Sequence, residues 1–98
     1  MNENSVELFR QDGTECRLIR LSKGGDGIRL GALDMGSSVE RFWSDDDYEF
    51  WVDVANDAIC KLAFALLRHH YAGRADAVDE FRAFCKQNAI EHKFENWI

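Results

Sequence analysis

Proline is absent from the sequence, and that absence alone points to no function. More telling is what the cysteines lack. Cys16, Cys60 and Cys85 are odd in number and widely spaced, with no C-x-x-C pair. A small secreted disulfide scaffold shows an even, denser set, so three thiols packing as small hydrophobes are expected. No apolar run approaches the ~20 residues a membrane span needs. The opening Met1-Asn2-Glu3-Asn4-Ser5 has neither a basic start nor an apolar stretch. A cytoplasmic location without a signal peptide is the expectation.

Catalytic and cofactor signatures are equally scarce. There is no G-x-S-x-G and no H-E-x-x-H. Gly24-Gly25-Asp26-Gly27 lacks the G-K-[ST] ending of a phosphate loop and does not lead into a helix. It reads as a long flexible hairpin connection. His69 and His70 are neighbours, about 100° apart on a helix, and do not easily share one metal. No enzyme activity and no cofactor are expected.

What is present is one domain's worth of chain. Its 98 residues are 46% hydrophobic, enough for a core without disulfides or metal. The formal charge of −6 is concentrated. Residues 34–57 carry Asp34, Glu40, Asp45, Asp46, Asp47, Glu49, Asp53 and Asp57 against Arg41 alone, eight acids to one base. The segments on either side are nearly neutral. Such a field repels phosphate backbones and attracts basic partners, so nucleic acid is disfavoured.

Hydrophobic periodicity predicts strands near residues 6–10, 16–21, 28–33 and 48–54. Asp12-Gly13 marks the first hairpin turn. Ser37 or Ser38 is placed to cap a short helical turn containing Val39, Phe42 and Trp43. The clearest strand is Tyr48–Val54. Tyr48, Phe50, Val52 and Val54 point one way and Glu49, Trp51 and Asp53 the other. Asn56 reads as the N-cap of a helix running to about Tyr71, stopped by Gly73. Asp76 reads as the cap of a second helix that fades near Asn88. The alternating, aromatic-rich segment 90–98 predicts a final strand. The resulting class is α+β. A mainly antiparallel sheet of four to five strands carries two consecutive helices packed on one face, in the order β-β-β-β-α-α-β.

The sharpest local feature is Asp45-Asp46-Asp47-Tyr48-Glu49. As a calcium loop it fails, because the sixth and twelfth positions are Phe50 and Asn56 rather than Gly and Glu. The second feature is Trp51, flanked on its own strand face by Glu49 and Asp53. It either packs against Trp97 or Trp43, or stands exposed as an aromatic anchor in an acidic rim.

Residues 34–51, with Val39-Glu40-Arg41-Phe42-Trp43 followed by Asp45-Asp46-Asp47-Tyr48-Glu49-Phe50-Trp51, resemble a block found in small uncharacterised bacterial proteins. The likeness extends through the first helix, about half the chain, and implies no catalytic residues. In size and charge the chain also resembles immunity proteins of bacterial toxin systems. The expected function is therefore a non-catalytic interaction domain. Asp45, Asp46, Asp47, Glu49, Trp51 and Asp53 would bind a basic protein partner, with a toxin as one form of it. The alternatives are a homodimeric structural domain or a divalent-metal module built on the acidic loop.

Overall fold

The computed structural model describes residues 4–36 and 47–97, Asp47 in its backbone alone. Four strands form one antiparallel sheet: β1 (Ser5–Gln11), β2 (Glu15–Gly24), β3 (Gly27–Gly36) and β4 (Asp47–Ala55). Their spatial order is the chain order, so each strand pairs with its sequence neighbour and β1 and β4 are the edges. A short 3-10 turn (Asn56–Ala58) leads into α1 (Ile59–Tyr71), and α2 (Ala77–Gln87) follows. The α+β class and the order β-β-β-β-α-α are as the hydrophobic pattern predicts. The expected helical turn around Val39–Trp43 and the loop carrying Asp45 and Asp46 lie outside the described residues.

The chain divides into two units, Met1–Cys60 with the sheet and Lys61–Ile98 with most of the helical residues. In the first unit, the glycine-rich stretch is not a long connection. Strands β2 and β3 continue to a Gly24–Gly27 pairing and leave a two-residue turn, Gly25-Asp26. Gly27 makes this possible with φ +151°, a conformation that side chains other than hydrogen resist. Asn56 locks the turn from β4's end. Its backbone N–H donates to the Asp26 carbonyl at 3.0 Å and its side-chain amide to the Gly25 carbonyl at 2.5 Å. Asn56 is thus not a helix cap. Ala55 holds that position, without a side-chain bond.

In the second unit, α1 ends at Tyr71, and Gly73 two residues on takes a left-handed φ of +79° that does not continue the helix. Asp76 sits at the N-cap position of α2 but makes no capping bond, because Arg74 takes its carboxylate at 3.1 and 3.2 Å. Arg74 also pairs with Glu80. The Tyr71 and Phe81 rings meet edge to face, 6.1 Å between centroids. Residues 90–97 form no strand, contrary to expectation. Ala89, at φ 55°, closes α2 in a Schellman turn, with Ile90 N–H donating to the Cys85 carbonyl at 2.9 Å. Beyond it the Arg82 guanidinium lies 3.8 Å from the centre of the Phe94 ring. Local bonds within this unit hold the segment, and period-two alternation alone did not reveal them.

The thiols differ in environment. Cys85 is buried, Cys16 is half-buried with its Sγ 3.2 Å from the Gly13 carbonyl, and Cys60 is exposed. Uniform burial of the three was the expectation, and Cys60 departs from it. Among the described residues no helix is long and apolar enough to cross a membrane.

Candidate functional site

Strand register decides which side chains share a face, because neighbours along a strand point to opposite sides. In β4, Glu49, Trp51 and Asp53 lie opposite Leu33, Gly31 and Arg29 of β3. Those in turn lie opposite Leu18, Arg20 and Ser22 of β2. All nine therefore occupy one face, as the alternation in β4 predicts for the first three.

The centre of this face is Gly31. With no side chain there, the sheet has a hollow of about 310 Å³, walled by Leu18, Arg20, Arg29, Leu33, Glu49 and Trp51. A Cβ on Gly31 would stand 3.2 Å from the Trp51 Cβ, so the glycine also permits the close approach of the indole. Trp51 itself is 50% exposed. The Arg29 guanidinium lies over its ring, 4.8 Å from the centroid.

Arg29 has a second task. It grips Asp53 across the strands with two bonds, 2.6 and 3.0 Å long. That fork, with a smaller contribution from Trp51, holds the Asp53 carboxyl below the usual aspartate range. The Arg29 guanidinium is raised correspondingly. Glu49 is exposed and makes no hydrogen bond or ion pair among the described residues. On the β2 side, Arg20 reaches Ser5 Oγ at 3.3 Å.

Of the six residues predicted to bind a partner, the structure thus brings Glu49, Trp51 and Asp53 together, and one of the two carboxylates carries its own counter-ion. Asp45 and Asp46 lie outside the described residues, and Asp47 is known by its backbone position opposite Met35. The two packing partners considered for Trp51 fare differently: Trp43 is outside the described residues, and Trp97 is 98% exposed. Sequence reading missed Arg29, Gly31 and Arg20. Their signal is the cross-strand register, which a single sequence does not print. Among the described residues no three His, Cys, Asp or Glu side chains cluster as a metal site would require. Compared with protein-family models, curated proteins and solved structures, the chain matches none.

Proposed function

We propose that this chain is a non-catalytic protein-interaction domain that uses the Glu49/Trp51/Asp53 face of the sheet to bind a basic protein partner in the cytoplasm. The observation that carries this reading is the half-exposed Trp51, held in place by Gly31 and Arg29 beside the exposed Glu49, which has no partner among the described residues. An aromatic side chain with little freedom to lose is a good anchor, and a carboxylate at its edge selects the sign of the partner's charge. The hollow over Gly31 accepts a partner's apolar side chain against Leu18, Leu33 and Trp51.

The Arg29–Asp53 pair makes this surface less acidic than composition suggests. The negative charge that steers a partner is Glu49 together with the Asp45-Asp46-Asp47 run that precedes it in sequence. An immunity protein that covers the basic cleft of a bacterial toxin is one concrete form, resting on likeness of size and charge. The test is capture of the native partner at low salt, followed by its dissociation constant for wild type, Trp51→Ala and Glu49→Lys. Losses of about 30-fold or more for Trp51→Ala are expected from an anchor worth about 2 kcal/mol. Glu49→Lys should slow association, and added salt should reduce that difference. Equal affinities in all three proteins overturn the reading.

A further inference from the structure

The opposite face of the same sheet has a different chemistry. Register places Val6 and Phe9 of β1, Ile19 and Leu21 of β2, Ile28, Leu30 and Ala32 of β3, and Phe50, Val52 and Val54 of β4 on it. Among the described residues of the sheet unit the four strands form a single layer, and none of those residues covers these side chains. Val52 is 68% exposed, Val6 51%, Leu30 46%, Phe9 45% and Phe50 40%. A contiguous apolar surface of this kind marks an interface.

We propose that this apolar face is the interface with a second copy of the chain, packed sheet on sheet about a two-fold axis. Area supports that occupant. Strands of 7, 10, 10 and 9 residues at about 3.3 Å per residue and about 4.8 Å apart give a face of about 570 Å² per copy. Two copies bury about 1,100 Å², just above the roughly 1,000 Å² a specific interface needs. The charge distribution does not oppose it. Among the described residues, the charged groups of this face lie at its ends, leaving the middle free of them. Arg17 and Asp34, bonded to each other at 2.6 Å, occupy the Tyr48 end, and Lys23 occupies the other. A two-fold axis in the interface plane and across the strands sets Lys23 of each copy over the end that carries the mutually neutralised Arg17–Asp34 pair in the other. The apolar middles then meet, and each residue meets its own symmetry mate or the mate of a neighbour.

The interface lies on the side away from Trp51, so it stands or falls separately from partner binding. Sedimentation equilibrium of the purified wild-type chain should give twice the 11.3 kDa of one copy. Val52→Glu should weaken the dimer by about 100-fold, since two carboxylates would be buried without partners. Its far-ultraviolet dichroism should keep the sheet signal. Trp51→Ala should leave the dimer intact. If Val52→Glu fails to fold, Val52→Thr decides instead, with an expected loss of about tenfold in dimer affinity. A wild type that is monomeric at high micromolar concentration overturns the proposal, whatever else covers the face. So does a variant at Val52 that folds and dimerises with wild-type affinity.

Discussion

The two faces of this sheet are built from the same four strands and differ in almost every other respect. On the face of Trp51, charged side chains alternate with a central hollow, and Arg29 serves Asp53 and the indole together. On the other face, apolar side chains fill the middle and the Arg17–Asp34 fork stands at one end. The contrast shows that the net charge of residues 34–57 does not describe a surface. Asp34 and Asp53 count equally in that sum, yet they lie on opposite faces and each is matched by an arginine from a neighbouring strand. What distinguishes the faces is which parity of position each charge occupies.

Breaking the register should erase the contrast, and it carries the largest expected effect. Gly27 closes the β2–β3 turn at φ +151°, and a Cβ there would run into the Val54 carbonyl of β4. Gly27→Val should cost roughly 3 kcal/mol, combining backbone strain with a clash against a paired strand. A slip of one residue to relieve it would exchange the two faces. Urea unfolding reads the loss. A variant within about 0.5 kcal/mol of wild type, the usual range of a surface substitution, would show that this turn does not set the register.

Much of this fold is legible in the amino-acid order, and the parts that are not share a cause. Tyr48 to Val54 alternates cleanly, and the structure assigns its side chains to faces as the alternation predicts. Cys16 to Leu21 does not, because both faces of β2 mix arginine with aliphatic residues: Leu18 and Arg20 share one face, Arg17, Ile19 and Leu21 the other. The strand ends at Ser22-Lys23-Gly24 are invisible to periodicity, since they pair through backbone bonds that any residue can make. Residues 90–97 alternate like a strand but are held by the Schellman turn and the Arg82–Phe94 contact. That Glu49, Trp51 and Asp53 share one strand face was legible. Gly31 and Arg29 were not, because their relevance depends on lying across from Trp51 and Asp53.

A smaller perturbation sharpens the contrast by filling one face alone. Gly31→Val would place Cβ 3.2 Å from the Trp51 Cβ, so the indole must shift by a few tenths of an ångström. The β-branched side chain suits a strand, and the crowding opposes that gain. A net cost of about 1 kcal/mol is expected. The hollow should close, and partner affinity should fall with the sheet intact. In a Trp43→Phe, Trp97→Phe background the emission of Trp51 should change. Unaltered emission and unaltered partner affinity would mean that the hollow plays no part.

The smallest effects come from the ion pairs, and they separate the faces by pH. Arg29 lowers the Asp53 carboxyl and Arg17 lowers that of Asp34. A carboxyl that is more acidic in the folded chain than in the unfolded one stabilises the fold above its ordinary value, about 3.9 for aspartate. That contribution drains away as the pH falls from there through the lowered folded value. Both pairs are solvent-exposed, so each contribution is small and shrinks further with salt. Arg29→Gln should return Asp53 toward its ordinary value and leave Asp34 lowered, while Arg17→Gln should do the reverse. Carboxyl carbon shifts followed by nuclear magnetic resonance between pH 2 and 6 read each group separately. If one substitution moved both carboxyls, the two faces would be electrostatically coupled through the sheet rather than independent, and the contrast drawn between them would have to be given up.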